Sequence, residues 1–334
     1  MSTTIRDVAD EADVSVATVS RVLNDSDNVR EATEERVLEA AHALDYHPSE
    51  TARSLRAQKT QTVGVLLPNM HGEFFAQITQ GLDRRAREHG HHLLVSNSHT
   101  NESEAEAVLQ SVRGRVDGLI ILWPRLTVHF LESLLPEGLP VVLLNTSAGQ
   151  SRFESLSFDN RAGAYKAVEH LVEHGHERVA IFTGGSENFD AQERLAGYRA
   201  AVDDFGLVGN SSLEMEGDFT RRTGHVLVEK FLSLEPRPTA LFASNDSMAI
   251  GALRGLREAG IHVPEDVALV GFDDIPTASY VMPSLTTVHA PTQELGGQAM
   301  DHLLARLKEE TTPSHQTLET QLVPRESCGC SSAE

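Results

Sequence analysis

Cysteine is almost absent from this chain of 334 residues, which contains only Cys328 and Cys330, close to its end. Two thiols exclude a framework of disulfide bonds. By themselves they also cannot complete a tetrahedral zinc site. We therefore expect no bound metal, and a reduced and frayed tail over residues 324–334.

Long apolar runs are missing as well. No stretch of about 18 consecutive apolar residues occurs, which excludes a membrane-spanning helix and a membrane partner. The residues from Met1 to Asp7 lack the basic segment followed by apolar residues that a secretory signal needs. These two absences predict a cytoplasmic protein.

Basic residues, and lysine above all, are scarce. The formal net charge is −21, and only four of the 28 basic residues are lysines. Residues 1–60 hold seven basic against twelve acidic side chains. Such an acidic, lysine-poor surface is typical of a halophilic protein, because high ionic strength screens the self-repulsion. An ordinary acidic protein remains the alternative.

Motifs of catalysis are not found. No Gly-x-Gly-x-x-Gly follows the first predicted strand, and the segment 183–186 fits neither a dinucleotide loop nor a P-loop. No Gly-x-Ser-x-Gly elbow occurs. Histidine groups at 89–92 and 174–176 lie in predicted turns, where exposed side chains are expected. The sequence predicts no catalytic residue, no cofactor and no enzyme.

Near its N-terminus, the sequence shows the apolar spacing of two short helices. Ile5, Val8, Ala9 and Ala12 share one face of a first helix, which Thr3 or Thr4 can cap. Ser15 occupies the N-cap position of a second helix over residues 16–23. The second helix turns Val19, Val22 and Leu23 inward and leaves Val16, Ala17, Ser20 and Arg21 outside. A third helix is predicted from Glu31 to Leu44.

Two short helices joined by a tight turn indicate a helix-turn-helix motif, whose second helix enters the major groove of DNA. On length and spacing alone, a plain helical hairpin in another kind of domain remains open. The segment after Pro48 shows one further weak helical stretch, over residues 50–56, followed by a polar linker.

The headpiece segments Thr4–Ala9 and Ala12–Asn24 resemble the lactose/galactose repressor (LacI/GalR) family. Tyr46–Ser49 and Ala52–Leu55 resemble the hinge helix of that family. The resemblance implies that the hinge folds on the operator and places a leucine wedge, here Leu55, in the minor groove. An apolar wedge unstacks a base step and bends the duplex.

Pattern and resemblance together predict a sequence-specific transcription regulator, a repressor, that binds a pseudo-palindromic double-stranded DNA operator. One DNA-reading helix per chain requires a second copy on such a site. No leucine heptads follow residue 327, so a homodimer is expected rather than a coiled-coil tetramer. The predicted DNA-contacting residues are Thr4, Ser15, Val16, Ala17, Thr18, Ser20, Arg21, Asn28, Arg53 and Leu55.

From Thr62 onward, buried strands alternate with helical patterns. Continuous apolar runs lie at 63–67, 93–95, 118–122 and 141–144, and the alternation resumes from Asn160 with runs at 179–182, 240–243 and 267–270. Such runs joined by helices predict parallel, doubly wound sheets in two lobes. A helix near 292–309 and a strand near 316–323 complete the chain.

The core also resembles the LacI/GalR family, in Asp117–Ile120, Arg194–Tyr198, Asn245–Gly251, Val270–Asp274 and Leu285–Val288. The predicted fold is thus an all-α helix-turn-helix headpiece with an α/β periplasmic-binding-protein-like core of two doubly wound lobes. A transport protein of the same core is disfavoured by the headpiece. The predicted domains are the headpiece 1–48, the hinge and linker 49–61, a first lobe of 62–159 with 290–323, a second lobe of 160–289 and the tail 324–334.

A crevice at the carboxyl ends of the strands is the expected effector site. Arg194, placed at the opening of a helix, and Asp273 are expected to grip the ligand from separate edges, and Asp246 is expected to cap the helix that begins at Ser247. The polar and aromatic side chains suit a carbohydrate or polyol, and a nucleobase is the alternative. The core departs from the family pattern before Phe74 and at Leu122, so the ligand's identity does not transfer. The predicted effector-binding residues are Phe74, Phe158, Arg194, Phe219, Asn245 and Asp273.

Overall fold

The structure is a computed structural model that describes residues 3–23, 29–46, 60–98, 101–123, 127–146 and 151–330. The chain divides into two compact units, residues 1–60 and 61–334. The predicted hinge helix over residues 50–56 lies outside the described residues. In the ranges that are described, no helix has the length and apolar character needed to cross a membrane.

Within its described residues, the first unit contains three short helices, Ile5–Glu11 (α1), Val16–Val22 (α2) and Glu31–Ala43 (α3). Their bounds agree with the predicted helices to within one residue at each end. The apolar faces meet in a small core, which comprises Val8, Ala9, Ala12, Val19, Val22, Val37, Ala40 and Ala41. The structure thus forms the helix-turn-helix arrangement that the apolar spacing predicted.

The second unit alternates strands and helices along the chain. Its strands are Thr62–Leu67 (β1), His92–Asn97 (β2), Gly118–Leu122 (β3), Val141–Leu144 (β4), Glu154–Phe158 (β5), Val179–Thr183 (β6), Glu214–Glu216 (β7), Ala240–Ala243 (β8), Ala268–Asp273 (β9), Thr286–His289 (β10), His315–Leu318 (β11) and Gln321–Val323 (β12). Its α-helices are Glu73–Glu88 (α4), Glu102–Val112 (α5), Val128–Leu134 (α6), Asn160–Glu173 (α7), Phe189–Asp204 (α8), Arg221–Leu232 (α9), Asp246–Glu258 (α10) and Thr292–Leu307 (α11).

The strands form two six-stranded sheets, one in each lobe. The first sheet has the order β11-β5-β4-β3-β1-β2 and is parallel throughout. The second has the order β12-β10-β9-β8-β6-β7, in which only β12 is antiparallel to its neighbour β10. Most of the central strands are buried along their whole length, as strands covered by helices on both faces must be.

The chain passes between the lobes at three places. It leaves the first sheet after β5, and it returns after β10 with α11, which packs along α4. It leaves again between β11 and β12. The prediction of one strand near 316–323 within the first lobe is therefore wrong in part, because β11 lies in the first sheet and β12 in the second.

The tail also differs from the prediction. A short 3₁₀ helix, Glu326–Cys328, packs on the second sheet, where the Ser327 hydroxyl donates to the carbonyl of Leu269 and accepts from the amide of Thr286. Cys328 is only 3% exposed. The expected fraying is thus wrong for residues 324–330, because these hydrogen bonds fix the segment to the starts of β9 and β10.

Candidate functional site

The predicted DNA-reading helix α2 is short and capped. The Ser15 hydroxyl accepts a hydrogen bond from the amide of Thr18 at 3.1 Å, and the two side-chain hydroxyls lie 2.9 Å apart. The preceding helix begins with a capping box, in which the amide of Thr4 donates to the carboxylate of Asp7. These caps stabilise helices that would be too short to persist alone.

The outer face of α2 is largely as predicted. Val16, Ala17 and Arg21 are exposed, and Thr18 is half-buried. Ser20 differs, since it is only 9% exposed. The prediction that Ser20 lies exposed on the outer face is therefore wrong. Three other predicted DNA-contacting residues, Asn28, Arg53 and Leu55, lie outside the described residues.

In the core, Arg194 is the centre of a buried hydrogen-bond network. Its Nε donates to Asn160 Oδ1 at 2.8 Å, and its Nη1 donates to the carbonyl of Ser244 and to Asp273 Oδ1, the latter at 3.1 Å. The guanidinium carbon lies 3.7 Å from the centre of the Phe272 ring. These contacts hold a side chain that is only 2% exposed at the carboxyl ends of the strands.

Two details of the predicted site need correction. Arg194 does not open a helix, because α8 begins at Phe189 with Asn188 as its cap. Nor do Arg194 and Asp273 approach from separate edges, since they form an ion pair with each other within the second lobe. Each charge is buried, and mutual pairing is what makes that burial tolerable.

A second buried carboxylate, Asp190, extends this network to the first lobe. Its oxygens accept hydrogen bonds from Asn160 Nδ2 at 2.8 Å and from Asn145 Nδ2 at 3.1 Å. Asn145 follows β4 of the first sheet, so its hydrogen bond to Asp190 joins the two lobes. Asp190 was not among the predicted site residues, although it lies four residues before Arg194 on the same helix, the spacing at which an acidic and a basic side chain can pair.

The two carboxylates share a single guanidinium, and this imbalance affects their protonation. Burial raises the pKa of Asp190, against the effects of Arg194 and of the two amides. Burial likewise raises the pKa of Asp273 to about 7; the charge of Arg194 opposes this rise and the charge of Asp190 adds to it. The site therefore tends to carry fewer negative charges than its carboxylates suggest.

Asn245, and not Asp246, caps α10. Asn245 is the cap of α10, because its Oδ1 accepts from the amide of Met248, and its Nδ2 donates to the carbonyl of Phe219. Asp246 is fully buried and accepts from the amide of Ile275 and the hydroxyl of Thr287. The prediction that Asp246 caps the helix is therefore wrong.

Three aromatic side chains lie around the cleft. Phe74, at the start of α4, packs edge-to-face on Phe158 with ring centres 6.3 Å apart, and it contacts the cores of both lobes. Phe158 is only 3% exposed. Phe219 has a positive φ of 65° and rests its half-buried ring on Gly184, where any side chain would collide with it. The structure thus brings the predicted aromatic and polar residues to the same region of the core.

A helix-turn-helix unit joined to a two-lobed parallel-sheet core defines the class of DNA-binding transcription regulators with a periplasmic-binding-protein-like domain. The family model described as bacterial regulatory proteins, lacI family, matches residues 4–49. The model of the periplasmic binding protein-like domain matches residues 168–328.

Whole-chain comparisons agree. The chain is 35% identical to catabolite control protein A of Priestia megaterium over 94% of this chain and 95% of that protein. It is 36% identical to the HTH-type transcriptional repressor PurR of Aliivibrio fischeri (strain MJ11) over 92% of each chain. The lac repressor dimer bound to operator and the anti-inducer ONPF superposes with a TM-score of 0.90, at 30% identity over 98% of this chain and 99% of that one. The chain belongs to the lacI family of bacterial regulatory proteins, a family of transcription regulators and not of enzymes.

Proposed function

We propose that this protein is a repressor that binds a pseudo-palindromic operator as a homodimer and responds to a small hydroxyl-rich molecule, a sugar or polyol. The observation that carries the effector class is the buried Arg194–Asp273 pair at the carboxyl ends of the strands. Operator binding is supported by the exposed Val16, Ala17 and Arg21 on the capped second helix.

The Arg194–Asp273 pair has binding capacity left for a ligand. Within the described ranges, no hydrogen bond is made by Arg194 Nη2 or by Asp273 Oδ2. A rigid guanidinium donor beside a carboxylate acceptor matches the paired hydroxyls of a diol. Phe219 offers an apolar face for the ring of the same ligand. Among similar structures, a CelR regulator is in complex with cellobiose, and a LacI family regulator from Enterococcus faecium has bound ribose.

A thermal-shift screen of sugars, polyols and purine bases on the full chain tests the effector class. We expect a sugar or polyol to raise the melting temperature, since a ligand that binds only the native state stabilises it. Phe219→Ala should lower the affinity for that ligand by about 2- to 10-fold, because an aromatic contact contributes roughly 0.5–1.5 kcal/mol. Phe205→Ala, in the same lobe at the end of α8, is the matched control. A response to purines alone would contradict the hydroxyl-rich class.

Homodimerisation is supported by an apolar surface on the second lobe. Tyr280 and Met282 are 86% and 91% exposed. Beside them lies a groove of about 450 Å³, lined by Ile250 and Leu253 of α10 together with Val281. An exposed apolar patch of this kind marks an interaction site. In a two-fold dimer, the same patch from each copy comes into contact. A second copy of this chain is the occupant we propose.

Operator selection from a random DNA pool, followed by nuclease footprinting, tests the DNA-binding function. We expect the full chain to enrich an inverted repeat and to protect both halves of it, because each copy presents one DNA-reading helix. Protection of a single asymmetric site by one chain would contradict the dimeric repressor. Release of the operator by the ligand from the thermal-shift screen would support induction, and tighter binding would indicate a corepressor.

A further inference from the structure

Both cysteines of the chain meet two histidines at one end of the second lobe. His170 and His174 lie one turn apart at the end of α7, and Cys328 and Cys330 belong to the C-terminal segment that packs there. His170 and Cys328 are buried, at 8% and 3% exposure. The four side chains come from segments about 160 residues apart, so only the fold brings them together.

Three distances within this cluster are close to those between the ligand atoms of a metal site, and His174 joins the cluster through its contact with Cys330. His170 Nε2 lies 3.2 Å from Cys328 Sγ and 3.7 Å from Cys330 Sγ. His174 Nε2 lies 3.3 Å from Cys330 Sγ. Zn–S and Zn–N bonds of about 2.3 and 2.0–2.1 Å place the ligand atoms of a tetrahedron about 3.3–3.8 Å apart. The donor atoms of His170, Cys328 and Cys330 all lie within 4.8 Å of one another.

Neighbouring groups orient these ligands. His174 Nδ1 lies 2.8 Å from the carbonyl of His170, so that nitrogen carries the proton and Nε2 keeps a lone pair toward Cys330. The hydroxyl of Thr286 donates to the sulfur of Cys328 at 3.0 Å. Hydrogen bonds of this kind fix the tautomer of a ligating histidine and stabilise a metal-bound thiolate.

We propose that His170, His174, Cys328 and Cys330 bind one divalent transition-metal ion of the zinc type, and that this ion fastens the C-terminal segment to the end of α7. Two thiolates and two neutral imidazoles balance the charge of a divalent ion and form a closed set of four ligands, which is typical of a structural site.

The metal site is separate from the effector site. The C-terminal segment bonds to the starts of β9 and β10, through Leu269 and Thr286, whereas Asp273 ends β9 at the opposite edge of the sheet. Helix α7 spans the two sites, with Asn160 at one end and His174 just beyond the other. The metal therefore stabilises the lobe, and loss of the metal does not remove any residue of the proposed effector contacts.

Cobalt titration of the full chain, untagged and reduced, tests the proposal. We expect one Co²⁺ per chain, with a thiolate-to-cobalt charge-transfer band and the intense visible bands of tetrahedral cobalt, and displacement by Zn²⁺. Cys330→Ser and His174→Gln, at the less buried positions, should each weaken metal binding by at least about 10-fold. The same metal should raise the melting temperature of the parent more than that of either variant.

His129→Gln, an exposed histidine on α6, is the matched control and should bind cobalt like the parent. A reduced parent that shows two free thiols and no thiolate–cobalt band would overturn the proposal. So would binding that survives both Cys330→Ser and His174→Gln. A disulfide between Cys328 and Cys330 in the isolated protein, with no metal uptake after reduction, would assign the pair to thiol chemistry instead.

Discussion

At the scale of single residues, the described core places charge where solvent does not reach. Asp190, Asp246 and Asp273 are each less than 10% exposed, and Arg194 is the cation that contacts Asp273 directly. Breaking such a pair by removing one partner leaves an uncompensated buried charge, at a cost of about 3–5 kcal/mol. Arg194→Ala is therefore a poor probe of effector binding, because it would also destabilise the lobe.

Asp273→Asn removes only the charge of Asp273 and gives a pH prediction. The folded-state pKa of about 7 lies above the unfolded value near 3.9. Hence the stability that Asp273 contributes is full below about pH 4 and is lost as the pH rises through 7. Asp273→Asn, which keeps an oxygen acceptor for Arg194, should reduce the total loss of stability over this pH range by up to about 4 kcal/mol, since the shift of about three pKa units corresponds to about 1.4 kcal/mol per unit. Urea unfolding between pH 4 and 7.5 measures it. An unchanged slope, equal to that of the exposed Asp203→Asn control, would contradict the prediction.

Arg21 gives a prediction for DNA recognition. Its exposed guanidinium, on the last turn of α2, can donate two hydrogen bonds to the O6 and N7 of a guanine. Arg21→Ala should cost about 1–3 kcal/mol on the selected operator and remove the preference at one base position in each half-site. Arg36→Ala, an exposed arginine of α3, is matched in charge. Gel shifts on operators with single-base changes separate the two, and equal losses on every sequence for Arg21→Ala would exclude base contact.

At the scale of elements, close packing between pairs of helices stabilises the core. Helices α4 and α11 approach so closely that a methyl group on Gly296 would collide with the backbone carbonyl of Ile78. The adjacent Gly297 has no atom near the position of an added methyl group. The same helix thus contains one glycine that the packing requires and one that it does not.

The two glycines form a matched pair of variants. Gly296→Ala should destabilise the protein by at least about 1–3 kcal/mol, since overpacking forces the helices apart. Gly297→Ala should instead stabilise it by about 0.5–1 kcal/mol, because alanine is the better helix former. Chemical unfolding of both variants gives the comparison. Equal effects would mean that α4 and α11 do not pack as described.

At the scale of the whole molecule, two surface properties have consequences for assembly and stability. One is the apolar patch around Tyr280 and Met282. The other is the net charge of −21. The patch favours association of two copies, whereas the charge opposes both folding and association unless salt screens it.

Met282→Asp tests the proposed dimer. A charge in the middle of a self-complementary patch meets its own copy across the two-fold axis, so we expect a monomer and a strong loss of operator affinity. Val208→Asp introduces the same charge at an exposed residue outside the patch and should leave the dimer intact. Analytical ultracentrifugation measures the mass of both. A dimer in Met282→Asp with unchanged affinity would place the interface elsewhere.

Salt dependence tests the proposed adaptation to high ionic strength. We expect a higher melting temperature in about 2 M than in about 0.1 M KCl, because the screening length falls from about 10 Å to a few Å. Operator affinity should fall over the same range, since counterion release yields less free energy. Sucrose in place of salt is the control for solvent exclusion. Equal melting temperatures in the two KCl concentrations would remove the support for adaptation to salt.

Local patterns in the sequence were enough to predict the architecture. Apolar spacing located the three headpiece helices and the buried strands such as Gly118–Leu122, because these patterns are local and repeat with the period of the element. It did not reveal β5, whose residues Glu154, Ser155 and Ser157 are polar but buried. Glu154 is tolerated there because His302 and Arg306, on a helix about 150 residues later, pair with it and the Thr312 hydroxyl donates to it.

Which side chains come into contact at the effector site and at the proposed metal site depends on the tertiary structure. Arg194 and Asp273 are 79 residues apart, and their pairing depends on the parallel sheet that brings two strand ends together. The same holds for His170 and Cys328, which meet because the last segment docks under β9 and β10. The two cysteines alone predicted no metal site. Composition could not show that two histidines lie beside them. Local periodicity specifies elements, whereas contacts between distant residues depend on how those elements pack.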